Sequence, residues 1–95
     1  MAVAMILEWP GVTQEQYDQV IEAMGLGGKT APGGYFHVSG PYEDGWRAVD
    51  VWESEEIADA FFAQHTQAFM DAGAAPPNRQ VWPVHDTLTP SGPAF

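Results

Sequence analysis

Histidine and carboxylate side chains are the groups of this chain best suited to transfer a proton. The histidines are His37, His65 and His85. His37 and Asp50 lie in successive strand-like segments, so the carboxylate could pair with the imidazole and fix which ring nitrogen carries hydrogen. His65 follows two phenylalanines on an apolar helical stripe, where a neutral imidazole could act as a general base. The predicted catalytic residues are therefore His65, His37 and Asp50, and the alternative for each histidine is a purely structural hydrogen bond.

Large aromatic rings are unusually frequent for so short a chain. They make up 13% of its 95 residues and include four tryptophans. Rings of this kind line cavities for flat molecules or fill subunit interfaces. The predicted substrate-binding residues are Trp46, Trp52, Trp82, Tyr35, Phe61, Phe62 and Phe69. The alternative for each ring is a place in the core or in an interface.

The charge balance argues against several classes of partner. Thirteen acidic residues outnumber three basic ones, Lys29, Arg47 and Arg79, which gives a net charge of −10. Nucleic acids need many cations to displace phosphate counterions, so we expect no nucleic-acid partner. The absence of cysteine excludes thiolate ligands. The histidines are 28 and 20 residues apart, unlike the short spacings of zinc motifs, so no metal site is predicted.

Targeting and nucleotide motifs are also missing from the sequence. The first residues, MAVAMILEWPG, carry no basic stretch, and their apolar run is too short for a membrane span. We therefore expect a cytoplasmic protein with no membrane partner. The sequence contains no P-loop, dinucleotide fingerprint or nucleophile elbow, so we expect no cofactor and no serine hydrolase chemistry.

Two strand–helix–strand units position these residues. Thr13 and Gln16 form a capping box before the first helix, and Ser54 caps a second helix that is predicted to run to about Ala72. The predicted strands are residues 1–9, 35–39, 46–52 and 79–85. This order, βαββαβ, predicts an α+β ferredoxin-like domain over residues 1–86, with an antiparallel sheet in the order 4-1-3-2 and two helices on one face. Pro83 suits an edge strand, and residues 87–95 are predicted to be a flexible or partner-docked tail.

The hairpin between the second and third strands sorts the candidate residues onto two faces. With a six-residue turn, Ser39 faces Trp46, His37 faces Ala48 and Tyr35 faces Asp50 across the pair. One face then carries Tyr35, His37, Ser39, Trp46, Asp50 and Trp52, and the other carries Phe36, Val38, Arg47, Val49 and Val51. We predict that the second face packs against the helices and that the first, polar-aromatic face meets a partner subunit.

Four segments of the chain carry a resemblance to known proteins: PGVTQEQYDQVIEAMGL, GGYFHVSGP, GWRAVDVWESEEIADAFF and VWPVH. Over about residues 3–86 the sequence resembles the small dimeric α/β-barrel proteins, in particular the antibiotic-biosynthesis-monooxygenase-like group. The resemblance implies a homodimer whose two sheets form one barrel. Activities in the superfamily include cofactor-independent oxidation of polyphenols, haem degradation and lactone isomerisation.

Two family positions differ in this chain. Where oxidising members often carry a helix histidine, this sequence has Phe61 or Phe62, and His65 follows one turn later. The strand asparagine of haem-degrading members has no counterpart in AVAMILEW, which argues against haem degradation. The resemblance therefore favours a cofactor-independent monooxygenase or an isomerase/cyclase of secondary metabolism that acts on an aromatic or polyketide-like molecule. The alternative is a non-catalytic dimeric protein that binds a small apolar or aromatic molecule.

Overall fold

The computed structural model describes residues 1–94 and has the predicted βαββαβ order. Its elements are β1 (Val3–Trp9), α1 (Gln14–Met24), β2 (Gly34–Tyr42), β3 (Gly45–Trp52), α2 (Glu55–Gln64), α3 (Thr66–Asp71) and β4 (Asn78–Pro83). The strands form one antiparallel sheet in the order β2-β3-β1-β4. The ferredoxin-like fold is therefore confirmed, and Pro83 ends β4 at a sheet edge, where its missing N–H costs no ladder bond.

The helix starts follow their local sequence signals. Thr13 Oγ1 accepts a hydrogen bond from the Gln16 amide at 3.2 Å, and Gln16 Oε1 accepts one from the Thr13 amide at 2.9 Å. Gly25 ends α1 in the left-handed region (φ 68°), where glycine avoids the Cβ penalty. Ser54 Oγ accepts from the Ile57 amide at 3.1 Å at the start of α2. Both predicted caps are confirmed.

The second helix is not continuous, so its predicted extension to Ala72 is wrong. His65 leaves the helical region (φ −107°, ψ 15°) and separates α2 from α3. Its amide donates to the carbonyls of both Phe61 and Phe62, which closes α2. His65 therefore lies at a junction between two short helices rather than inside one apolar stripe.

The β2–β3 turn contains two residues, Glu43 and Asp44, rather than the predicted six. Tyr42 pairs with Gly45, so the register shifts by two residues and His37 lies directly opposite Asp50. Gly45 must be glycine, because a Cβ there would lie 2.2 Å from the Trp9 carbonyl oxygen. An even shift keeps the paired side chains from Phe36 onward on their predicted faces. An irregularity between Gly34 and Phe36 makes Tyr35 the one residue added to the strand.

The prediction of which sheet face meets the helices is wrong. Met5 pairs with Asp50 and Leu7 pairs with Ala48, so the buried residues of β1 share a face with the polar-aromatic row of β3. The helices pack on that face. The opposite face, here called the open face, carries Ala4, Ile6, Val49, Val51, Phe36, Val38 and Trp82. The hairpin pattern alone could not decide between the faces, because both contain large apolar side chains.

Two apolar clusters lie between the sheet and the helices. One surrounds Met5 and Trp52, and the other surrounds Leu7 and Trp9. Phe62 packs against both clusters. Within residues 1–94, Asp50 is the one buried charged residue. A carboxylate in an apolar layer needs hydrogen-bond donors, so its partners bear directly on the site.

The last residues make local contacts of their own. Thr89 and Gly92 form an isolated bridge, and the Ala94 amide donates to Thr87 Oγ1 at 3.0 Å. Docking of this tail on a partner stays a prediction, and the last tail residue, Phe95, lies outside the described residues.

Candidate active site

A cavity of about 320 Å³ lies between the sheet and the helices. Its polar groups come from α1, β2, β3 and the loop that follows α1, while its walls are mainly apolar. Large apolar side chains in the wall include Trp9, Trp52, Met24, Phe61, Phe62 and Phe69. Ligand cavities usually span about 300–1,000 Å³ and combine apolar walls with a few polar groups. This cavity is therefore large enough for a small flat molecule.

A continuous chain of hydrogen bonds forms one wall of this cavity. Tyr17 Oη lies 2.6 Å from His37 Nε2, and His37 Nδ1 lies 2.5 Å from Asp50 Oδ1. Trp52 Nε1 donates to Asp50 Oδ2 at 3.2 Å. We refer to these four residues as the Tyr17–Trp52 chain. It joins α1 to two neighbouring strands and ends at the buried carboxylate.

The carboxylate sets the direction of every hydrogen bond in the chain. An ionised Asp50 only accepts hydrogen bonds, so His37 Nδ1 must carry the hydrogen that lies between them. His37 Nε2 then presents its lone pair and accepts from the Tyr17 hydroxyl. Both Asp50 oxygens have a donor, which offsets the cost of burying this charge. The imidazole is thus held in the tautomer of a general base.

Tyr17 keeps its proton in this environment. Burial raises the pKa of Tyr17 above its ordinary value of 10.0, a hydrogen bond with Ser39 lowers it, and the charges of Asp50 and Asp18 raise it further. The Trp46 ring stacks on Tyr17 with centroids 5.1 Å apart and an interplanar angle of 28°. The phenol is therefore protonated near neutral pH and is held in place as a donor to His37.

His65 lies apart from this arrangement. It is not among the residues that line the cavity, and its ring packs on Phe61 with centroids 4.5 Å apart. The structure therefore brings His37 and Asp50 together but does not add His65 to them. The role of His65 as a base stays a prediction.

The predicted substrate-binding residues divide into two groups. Trp52, Phe61, Phe62 and Phe69 line the cavity. Trp46 does not line the cavity and stacks on Tyr17 instead. Trp82 and Tyr35 are 44% and 42% exposed at the surface.

The sequence prediction named Tyr35 as the tyrosine of the site and left out Tyr17. Its position on the apolar stripe of α1 was visible, but its contact with His37 spans 20 residues of sequence and depends on how α1 crosses the sheet. Trp9 was missed as well. The alternation of β1 carried a signal for it, since Trp9 shares its face with the buried Met5 and Leu7.

Two further features concern metals and membranes. Residues 1–94 contain no group of three or more histidines and acids placed to hold a metal ion. No helix in the same part of the chain has the length and apolar character needed to cross a membrane.

Similarity to known proteins is found in structure and not in sequence. No protein-family model matches the chain, and no curated protein sequence matches it. One similar structure is a protein from Chloroflexus aurantiacus J-10-fl that is described provisionally as an antibiotic biosynthesis monooxygenase. It has 20% identity and a TM-score of 0.61, and the match covers 88% of this chain and 94% of that one.

Two other structures agree with this match. A mutant form of SnoaB, a cofactor-independent oxygenase from Streptomyces nogalater, has 14% identity and a TM-score of 0.62, with 92% of this chain and 96% of that chain covered. A Deinococcus radiodurans protein, also described provisionally as an antibiotic biosynthesis monooxygenase, has 7% identity and a TM-score of 0.57, with coverage of 94% and 97%. The chain has the ferredoxin-like fold of the antibiotic-biosynthesis-monooxygenase-like proteins, which confirms the predicted resemblance at the level of the fold.

Proposed function

We propose that the protein is a cofactor-independent monooxygenase that oxidises a small aromatic or polyketide-like molecule. The observation that carries this proposal is the Tyr17–Trp52 chain, which sets an oriented His37–Asp50 pair in the wall of an apolar cavity. The similarity in fold to a cofactor-independent oxygenase supports the same reaction class. His37 is the proposed base, in preference to His65, because only His37 lines the cavity and has a carboxylate partner.

The first proposed step is proton removal from an acidic C–H group of the substrate. The Tyr17 oxygen takes this proton while its own proton passes to His37 Nε2, and Asp50 stabilises the imidazolium that forms. The electron pair of the broken C–H bond stays on the substrate and is delocalised into its aromatic system. Apolar walls suit this step, because Coulomb interactions are stronger in a medium of low polarity.

The second proposed step uses molecular oxygen as the oxidant. The substrate carbanion is oxidised and O₂ is reduced as a C–O bond forms. The proton held on His37 then returns through Tyr17 to the new peroxide oxygen, which gives a hydroperoxide. The carbon of this hydroperoxide still carries one hydrogen, so loss of water from the hydroperoxide leaves a carbonyl group. One oxygen atom of O₂ ends in the product and the other in water, so the step needs no further reductant.

Two alternatives share the cavity but not the oxygen chemistry. An isomerase or cyclase would make the same carbanion and protonate or join it elsewhere. A binding protein would use the Tyr17–Trp52 chain only to hold the cavity together, which fits the finding that each polar member already has a partner. Oxygen uptake and product formation, measured together, separate the three functions.

The reaction is tested with a phenolic anthrone, whose methylene carbon is acidic because its anion is delocalised onto the carbonyl oxygen. We expect one O₂ consumed for each anthraquinone formed, above the rate of a sample without protein, and one labelled oxygen atom in the product under ¹⁸O₂. Oxygen uptake is followed with an electrode and the label by mass spectrometry. Conversion that continues without oxygen would favour the isomerase or cyclase, and binding without conversion would favour the binding protein.

We also propose that the chain forms a homodimer through the open face. Phe36, Val38 and Trp82 are 55%, 51% and 44% exposed there, and contiguous apolar surface of this kind is typical of interfaces. The partner sheet is thus expected on the face opposite to the one predicted from the sequence. Covering this face would leave the cavity on the helix side of each subunit.

Val38→Glu is expected to dissociate the dimer, because it places like charges in the apolar interface of both copies. Light scattering should give about twice the 10.4 kDa chain mass for the unmodified protein and one chain mass for the variant. Ala23→Glu, which adds the same charge on an exposed position of α1, should stay dimeric. A monomeric unmodified protein at micromolar concentration would contradict the proposal.

A further inference from the structure

Lys29 stands out among the three cations of the chain. Arg47 pairs with Glu8 at 2.6 Å, and Arg79 pairs with Glu55 at 3.1 Å and with Asp59 at 2.7 Å. Within residues 1–94, Lys29 has no carboxylate within ion-pair distance, although the chain carries thirteen acidic residues. Lys29 is exposed and lines the cavity that contains His37. Of the lysine and arginine side chains in the described residues, the one without an ion pair therefore lies at the opening of the candidate active site.

The loop after α1 fixes the position of Lys29. Ala31, two residues further on, is only 5% exposed and packs into the cluster around Met5 and Trp52. The Lys29 amide donates to the Leu26 carbonyl at 3.4 Å, and Leu26 also packs against this cluster. The backbone on both sides of Lys29 is thus attached to the core, while its ammonium group stays in water. A fixed loop with a solvated cation at its surface is suited to bind a charged group at the cavity opening.

The remaining charges of the protein favour an anionic group at this place only. A net charge of −10 repels anions in general, and the buried Asp50 carboxylate disfavours a second negative charge deep in the cavity. An anion beside Lys29 keeps most of its hydration, so its binding does not incur the large cost of burying a charge. The apolar part of the same molecule can then fill the space between Trp9, Trp52 and Phe62.

We propose that Lys29 binds an anionic oxygen of the substrate, a carboxylate or an ionised phenol, at the opening of the cavity. The substrate class is then a planar aromatic acid, with its ring system inside and its anionic group at Lys29. This inference rests on the proposed function, since it concerns the same cavity, but it predicts a preference in binding that does not depend on any reaction. Lys29 determines specificity and takes no part in proton transfer.

The test compares two probes of the same shape, 2-naphthoate and the neutral 2-naphthalenemethanol, by isothermal titration calorimetry on the full chain. We expect the unmodified protein to bind the naphthoate more tightly. Lys29→Gln should weaken naphthoate binding by about fivefold, the size of a solvated charge pair, and should leave the alcohol unchanged. Lys29→Arg should retain the preference. Added salt should reduce naphthoate affinity more in the proteins that carry a cation at position 29 than in Lys29→Gln.

Gln14→Glu is the matched control, because it gives the same net charge as Lys29→Gln at an exposed position outside the cavity lining. Equal loss of naphthoate affinity in both variants would attribute the effect to net charge and overturn the proposal. Unchanged naphthoate affinity in Lys29→Gln would overturn it as well. Binding of the alcohol would in that case still support the proposal that the cavity binds aromatic molecules. If neither probe binds the unmodified protein, this inference fails together with the proposed aromatic ligand.

Discussion

Replacing His37 by glutamine is expected to lower kcat by roughly 10²–10⁴-fold, the usual contribution of a positioned general base. Glutamine keeps a polar side chain that can still bond Asp50, but it cannot accept and return a proton near neutral pH. Binding of substrate should change little, because the walls of the cavity are mainly apolar rings. Initial rates of oxygen uptake measure kcat, and calorimetry with 2-naphthalenemethanol measures binding.

The same replacement at His65 is the control for this experiment. His65→Gln changes a histidine that packs on Phe61 outside the cavity lining, so kcat should stay within about twofold of the unmodified protein. Circular dichroism should show that both variants fold. The reverse result, a large loss for His65→Gln and none for His37→Gln, would assign the base to the helix junction and overturn the role given to the Tyr17–Trp52 chain.

The parts of the fold that the sequence predicted correctly depend on local interactions. The Thr13 capping box and the Ser54 cap each involve residues within four positions of one another. Strand order also followed from sequence, because the βαββαβ pattern and the edge position of Pro83 leave few arrangements. These features fix the scaffold without fixing its contacts.

The errors concern contacts between residues far apart in sequence. The two-residue turn at Glu43 and Asp44 moved the register, and only that register sets His37 opposite Asp50. The face that meets the helices depends on pairing between β1 and β3, about 40 positions apart, and the hairpin alone carries no information about it. The separation of α2 from α3 at His65 results from a local backbone conformation, and the apolar stripe of the sequence gives no sign of it.

Tyr17→Phe is expected to lower kcat by roughly 10²-fold or more, because the proposed proton path runs through the Tyr17 oxygen. Phenylalanine keeps the ring that stacks on Trp46 and removes only the hydroxyl that donates to His37. The fold and the cavity should therefore persist, and the loss should appear in kcat rather than in binding of 2-naphthalenemethanol. Oxygen uptake and calorimetry on the same preparation separate the two effects.

The titration of Tyr17 provides a second measurement that needs no substrate. Burial raises the pKa of Tyr17 above 10.0, so the folded protein holds this proton at a pH where the unfolded chain has lost it. The free energy of unfolding should therefore be unaffected by this group below pH 10.0 and fall above it, relative to Tyr17→Phe. Tyrosinate absorbance at 295 nm, taken as the difference between the two proteins, should have its titration midpoint above pH 10.0.

An increase in kcat for Tyr17→Phe would contradict the proposed relay, in which the substrate proton reaches His37 through the Tyr17 oxygen. The Tyr17 hydroxyl donates a hydrogen bond to His37 Nε2 at 2.6 Å, so removing the hydroxyl would also free this nitrogen for direct contact with substrate. In a direct mechanism the phenol is an inhibitor that substrate must displace, and its loss should raise kcat or lower KM. In the relay the phenol is the only path from substrate to His37, so its loss must lower kcat. The sign of the change in kcat therefore decides whether Tyr17 Oη or His37 Nε2 receives the substrate proton.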